Sequence, residues 1–430
     1  MLAINQSRGV VSFFLGFLLC YALVAAYLRS KCYRDPSSVF FRPESARVLT
    51  YSTFRKAQAQ RFGDLAALHS PPKFSNSTPP ELCVGIGSVS RSGFSYLKET
   101  LGSILEGLDS LERQRIYLVV FLAHTDQSQH EDFRQPWLLN MADRLPTYPD
   151  DPEIINLVRQ LEADGGYEAH ARKQKIDYTV LLDECAKVNP KYTMTLEDDV
   201  IALDGWYHRA LSALRTATRM TKELGRDSFL YLRIFYDGRL LGWNSEEWPL
   251  YLGSSVAIFL VEVVVLAALR WRISYVRKAI TLPIFFLLCC VCTPMLIGLF
   301  FAAGRNCMLP KAPGVHLMRK YGCCAQGLVY PQSQVVDNLL PLYRNTEDNH
   351  AAVDTFLENW ANSNDGLRWA VTPVLIQHVG GKSSHGAGDQ ELGSLTDDMP
   401  FDYSFEMNDP IRLAAEHRLW ISEMNEWEST

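Results

Sequence analysis

Three long apolar runs stand apart from the rest of the chain. They are Gly9 to Leu28, Pro249 to Leu269 and Thr281 to Ala303. Each is near the ~20 residues that a membrane-spanning helix needs. The first is too long for the apolar core of a signal peptide and lacks a small-residue cleavage site, so it reads as an uncleaved anchor. The other two read as a transmembrane hairpin, with a pair of buried core helices as the alternative. Pro283 and Pro294 are tolerated in membrane helices. Glu262 falls in mid-span, either as a functional group or packed against the other arm.

Elsewhere the pattern switches between periods. "ARVLTYSTFRKAQAQRFGDLAALH" has helical spacing inside a stem, residues 29–80, which "SPPKFSNSTPP" closes. From Leu82 onward strands and helices alternate. "LCVGIGSV", "IYLVVFLAHTD", "YTMTLEDDV" and "SFLYLRIFY" predict strands; "YLKETLGSILEGL", "EIINLVRQLEA", "ARKQKIDYTVLLDECAKV" and "DGWYHRALSALRTATRMTKEL" predict helices. Beyond the hairpin, "QVVDNLLPLYRN" and "AAVDTFLENWA" read as helices and "VTPVLIQHVG" as a closing strand. This alternation predicts an α/β fold, Rossmann-like, with a mainly parallel sheet. Neither half closes by itself. The expected organisation is a tail and anchor (1–28), the stem, one domain in two parts (82–248 and 305–386) interrupted by the hairpin (249–304), and a C-terminal tail (387–430).

Charge sets the expected topology. The loop "RWRISYVRKA" carries Arg270, Arg272, Arg277 and Lys278, which argues for a cytoplasmic loop and lumenal flanks. The N-terminus is then cytoplasmic, although Arg29, Lys31 and Arg34 follow the first run while Arg8 alone precedes it. Asn76-Ser77-Thr78 is a glycosylation sequon that suits the lumenal side; Asn5-Gln6-Ser7 would go unused. Cys20, Cys289, Cys290 and Cys292 lie in the apolar runs. Cys83, Cys185, Cys307, Cys323 and Cys324 lie where disulfides are permitted, with pairing not readable from sequence. No spacing suggests zinc. A net charge of -6 gives no electrostatic support to nucleic-acid binding, and 47% hydrophobic against 21% charged residues argues against disorder.

"YTMTLEDDV" ends a predicted strand in Glu197, Asp198 and Asp199. Ligands of open α/β sheets collect at the carboxyl ends of strands. Such a triplet either holds a divalent cation beside a diphosphate, with Glu197 and Asp199 flanking the ion and Asp198 free for sugar or ribose hydroxyls, or is an acidic loop ahead of a helix capped by Asp204. "GIGSVSR" offers Gly87, Ser88, Val89 and Arg91 as donor-binding residues, with Gly85 and Gly87 open to close backbone approach; an ordinary strand-to-helix turn is the alternative. It is not a dinucleotide fingerprint. Lys173 and Asp177 are one helical turn apart, so Lys173 either meets phosphate or pairs with Asp177. His378 is a possible third metal ligand or a structural strand-end residue.

"GIGSVSR…SYLKETLGSIL", "ARKQKIDYTVLL…YTMTLEDDV", "GLVYP", "VDTFL" and "LIQHVGGKSS" together resemble the GT-A glycosyltransferases, in the branch related to N-acetylglucosaminyltransferase IV. The hairpin narrows the resemblance to Golgi enzymes that add N-acetylgalactosamine to the GPI-anchor glycan. Glu-Asp-Asp stands in place of that fold's usual Asp-x-Asp. The resemblance implies UDP-GalNAc as donor, Mn²⁺ as cofactor, and inverting transfer to a mannose of a membrane-tethered GPI-anchored acceptor. It also implies a carboxylate base at a helix start, which Asp354 matches best and Asp337 second. Competing expectations are a lumenal transferase for N-glycans or glycolipids, and a non-catalytic scaffold with the same domain.

Overall fold

The computed structural model describes residues 2–74, 78–91, 93–320, 322–345, 351–381 and 399–428, so the Asn76 sequon lies outside the described residues. The chain divides into two compact units, residues 1–48 with 238–311, and residues 49–237 with 312–430.

The first unit is helical. Arg8–Lys31, Gly238–Arg272 and Leu282–Ala302 are long and apolar enough to cross a membrane. Only 0%, 0% and 22% of their most apolar windows are covered by protein, so they are not the buried core helices of the alternative reading. Glu262 accepts a hydrogen bond from Thr293 Oγ1 at 2.5 Å, which gives the mid-run carboxyl a partner on the third apolar helix. A disulfide joins Cys32 to Cys307. Asp35 accepts from the Cys307 and Ser37 amides beside it, at 2.8 Å each.

The second unit is built on a seven-stranded sheet. Its strands are β1 (Leu82–Ser88), β2 (Ile116–Leu122), β3 (Tyr192–Glu197), β5 (Tyr231–Arg233), β6 (Gly314–Leu317), β7 (Gly327–Pro331) and β8 (Arg368–Thr372), in the order β2-β1-β3-β7-β5-β8-β6. β1 pairs parallel to β2 and β3, and β5 parallel to β8, while β7 and β6 run against their neighbours. The sheet is therefore mixed but mostly parallel, as the alternating pattern predicts. A second, two-stranded sheet pairs β4 (Val200–Ala202) with β9 (Ile376–His378). The single closing strand expected over "VTPVLIQHVG" is thus two strands in two sheets. Pro373, which has no N–H to donate to a ladder, lies at the break.

Helix Tyr167–Lys187 packs on the sheet through Tyr178, Leu181, Leu182 and Cys185, a spacing that makes one helical face. It serves two core clusters, one with Val119 and Phe121 and one with Leu328 and Tyr330. Cβ atoms on Gly85 and Gly87 would lie 3.5 and 3.4 Å from Leu181, so these glycines face the packed helix. Cys83 and Cys185 lock the same contact with a disulfide.

The region read as a stem contributes helix Tyr51–Leu68 to this body. A Cβ on Gly102 would lie 2.3 Å from Ala59 O, so that helix and Leu97–Leu105 meet backbone to backbone. Arg55 is fully buried there; it donates to Ala202 O at 3.0 Å and to Ser103 O at 2.9 Å, and pairs with Glu106. The C-terminal stretch also folds, as helix Pro410–Glu428, which buries Leu413 and His417.

Candidate active site

β3 ends at Glu197, Asp198 and Asp199 form a turn, and β4 begins at Val200. The triplet therefore bridges the two sheets at the carboxyl end of a central strand. The chain turns at Asp198 and Asp199, and the three carboxylates diverge to different partners.

Asp198 is fully engaged. Arg91 donates to its two oxygens at 2.6 and 2.7 Å, a bidentate pair, and Ser88 Oγ donates to Oδ2. Burial works against the Arg91 guanidinium, but Asp198 more than offsets this and its pKa rises. Behind Ser88 stands His130, whose pKa burial pushes down to about 4. Its neutral ring accepts the Asp132 amide at Nδ1, 3.1 Å away. The proton is therefore on Nε2, which donates to Ser88 Oγ at 2.9 Å and leaves the Ser88 hydroxyl proton for Asp198.

Asp199 turns the other way. Its Oδ2 is 3.4 Å from His378 Nε2 and 3.7 Å from Arg91 Nη2. His378 arrives because β9 pairs with β4, with Val200 opposite His378. Burial raises the Asp199 pKa, but His378 outweighs it and holds the carboxyl down at about 2; the His378 pKa is raised in return. A Cβ on Gly380 would sit 2.3 Å from Asp199 Oδ2, so a glycine is required at that approach.

Glu197 is the most accessible of the three and accepts one hydrogen bond, from Gln326 Nε2 at 3.0 Å. Burial first, and then the Asp199 charge, push its pKa up to about 8. Among the described residues Asp199 Oδ1 has no hydrogen-bond partner. This corner is thus short of positive charge, which suits a cation. The ligand atoms of Glu197, Asp199 and His378 are not among the described groups gathered within 4.8 Å of one another. An ion here would need further oxygens, as Mg²⁺-like sites take from a substrate's phosphates.

The remaining expected residues fall into three places. Gly87 and Val89 belong to the β1 end, with Val89 packed on the core. Lys173 and Asp177 form a buried pair at 3.0 Å, with Lys173 also donating to Ala123 O at 2.6 Å and Tyr148 OH donating to Asp177. Both of their charges are committed inside the protein. Asp354 opens helix Val353–Ser363 and accepts from Cys324 N at 3.0 Å; its charge adds to the upward shift of Glu197. Asp337 is exposed on the preceding helical segment. Cys323 and Cys324 form a disulfide, and Arg233 holds both of their carbonyls. Sequence reasoning missed His130, Gln326 and the Asp199 contact of Gly380. His130 lies in an aperiodic polar stretch and Gln326 in a loop, so neither carries a pattern; the Gly-Gly after His378 was the one visible signal.

A family model described as GPI-N-acetylgalactosamine transferase PGAP4 matches residues 82–377, an interval that holds all strands of the seven-stranded sheet and the second and third apolar helices. The chain belongs to this family. It is also similar to alpha-1,3-mannosyl-glycoprotein 4-beta-N-acetylglucosaminyltransferase C of Macaca fascicularis, at 29% identity over 45% of this chain and 43% of the relative. The corresponding protein of Sus scrofa is 34% identical over 28% of this chain and 27% of the relative. The B form of Danio rerio is 28% identical over 30% and 25%. The chain thus spans less than half the length of these curated relatives. The PGAP4 family match contains Arg91, the Glu197–Asp199 triplet and Asp354, and ends one residue before His378.

Proposed function

We propose that the chain is a membrane-bound, inverting glycosyltransferase that moves N-acetylgalactosamine from UDP-GalNAc to a mannose of the GPI-anchor glycan. The observation that carries this reading is the division of labour in the triplet. Asp198 is locked on Arg91, while Glu197, Asp199 and His378 form an anionic corner at the end of β3. The family's description supplies N-acetylgalactosamine and GPI, and the GT-A resemblance implies UDP and the mannose.

In this reading Glu197, Asp199 and His378 hold a divalent cation, Mn²⁺. When bound, the ion neutralises charge on the UDP diphosphate. Arg91 fixes Asp198 so that the strand end does not collapse onto the cation corner. Asp354 acts as the base: it takes the proton of the mannose hydroxyl as that oxygen bonds to the anomeric carbon, while the bond from that carbon to UDP breaks and UDP departs with the electron pair. Its hydrogen bond from Cys324 N orients the carboxylate.

The three apolar helices are proposed as spans, with the N-terminus and the basic loop cytoplasmic, the sheet-bearing unit lumenal, and the Golgi as the compartment. The Cys32–Cys307 disulfide supports this, because it joins the chain just after the first span to the chain just after the third, and such bonds persist in oxidising compartments. An acceptor tethered by its lipid then meets a tethered site at raised effective concentration.

The curated relatives favour one second reading, transfer of N-acetylglucosamine to an N-glycan. A screen of purified protein against UDP-GalNAc and UDP-GlcNAc, each with GPI and N-glycan acceptors, with and without chelator, separates the two. Chelator-sensitive transfer from UDP-GalNAc to the GPI glycan is expected. Transfer from UDP-GlcNAc to an N-glycan instead would overturn the proposal.

A further inference from the structure

We propose that Glu112, His208 and His417 form a second metal site, specific for Zn²⁺, that staples the C-terminal helix to the body of the sheet-bearing unit. The three residues come from helices Ser110–Gln114, Trp206–Glu223 and Pro410–Glu428. All three are buried, and one ligand atom from each lies within 4.8 Å of the others.

The surrounding groups prepare this donor set. Asp204 Oδ1 is 2.9 Å from His417 Nδ1, which leaves Nε2 facing Glu112 Oε2, also at 2.9 Å. A carboxylate behind a histidine in this way fixes the tautomer that offers its other nitrogen to a metal. Two buried atoms, Glu112 Oε1 and His208 Nδ1, lack a hydrogen-bond partner among the described residues. Such atoms cost stability unless something binds them.

Gly205 keeps the space open. At φ +72° it takes a left-handed conformation, and a Cβ there would lie 2.4 Å from His208 Cε1 and 3.4 Å from His417 Cβ. Trp420 stacks on the His208 ring, with centroids 5.3 Å apart and planes 22° apart, and shields the cluster.

Two imidazoles and one carboxylate match the three-ligand zinc sites, whereas the corner of Glu197, Asp199 and His378 has two carboxylates to one imidazole and suits harder ions. Without metal, His417 bridges Glu112 and Asp204 through two hydrogen bonds. Zn²⁺ takes the place of the Nε2 proton, so binding releases a proton. The C-terminal helix is then tied to two helices that are remote from it in sequence, which a chain without the ion achieves only by packing.

The test uses full-length protein in detergent, stripped with chelator, dialysed against Zn²⁺ and analysed for metal content and thermal unfolding. An Asp199→Ala background removes the triplet's contribution. About one zinc per chain and a higher Tm with Zn²⁺ are expected in that background, with Asp204→Asn binding about 10- to 100-fold more weakly. His208→Gln abolishes the zinc-dependent rise in Tm; Glu112→Gln is the second variant if His208→Gln does not fold. Absence of retained zinc in the Asp199→Ala protein would overturn the proposal, as would equal zinc content in Glu112→Gln, and the cluster would then be an ion pair only.

Discussion

Glu197, Asp198 and Asp199 repel one another, and the fold gives each a different counterpart: Gln326, Arg91 and His378. Asp198 and Arg91 are both buried, so removing the guanidinium would strand a charge. Arg91→Ala is expected to cost roughly 3–5 kcal/mol, measured by denaturant unfolding. Gly380→Ala places a methyl 2.3 Å from Asp199 Oδ2, so the carboxylate must shift. Displacement of a binding carboxylate by about 1 Å is worth about 10²-fold in rate, so transfer should fall by that order while expression holds. Glu197 gives a pH signature. In chelator-treated protein its folded pKa of about 8 exceeds the unfolded value of about 4.3, so the folded chain binds the extra proton between them. Stability must then fall as pH rises through that window. Tm measured from pH 5 to 8 should drop less steeply in Glu197→Gln than in the parent; equal slopes would reject the shift. At this scale the sequence showed which acids adjoin but not how they part. The partners come from a loop (Gln326), an aperiodic stretch (His130) and a strand of another sheet (His378), and only the closed fold brings them in.

Elements were more legible than residues. The helix in "ARKQKIDYTVLLDECAKV" was recognisable by its helical spacing, and the strand in "IYLVVFLAHTD" by its continuous apolar run. The split of "VTPVLIQHVG" was not, since short strands on either side of Pro373 look alike in apolar content. Helix Tyr51–Leu68 was visible, but its role was not, because its buried anchor is an arginine. Arg55→Ala leaves three carbonyls and the Glu106 carboxylate without this donor, so a loss of about 3–5 kcal/mol is expected in chemical denaturation. The Cys83–Cys185 disulfide closes a loop with a sequence separation of 102, long enough that Cys83→Ser should remove roughly 4–5 kcal/mol. Near-unchanged unfolding midpoints in either variant would contradict these assignments.

For the whole molecule, the apolar runs dominate. Their length was plain from sequence and their lack of protein cover only from the fold, whereas the pairing of Cys32 with Cys307 depends on two segments separated by 275 positions. The proposed topology predicts that a glycosylation tag inserted after Tyr275 stays unmodified, while one appended to the C-terminus gains glycan; glycosidase-sensitive gel shifts read both. The central claim is that the acidic corner transfers N-acetylgalactosamine to GPI. It is tested most directly by mass spectrometry of GPI glycans from cells lacking this chain, rescued with wild type or with Asp199→Ala at matched expression. Wild type should restore one N-acetylhexosamine on a GPI mannose and Asp199→Ala should restore none. Equal restoration by both, or none by wild type, would contradict the account.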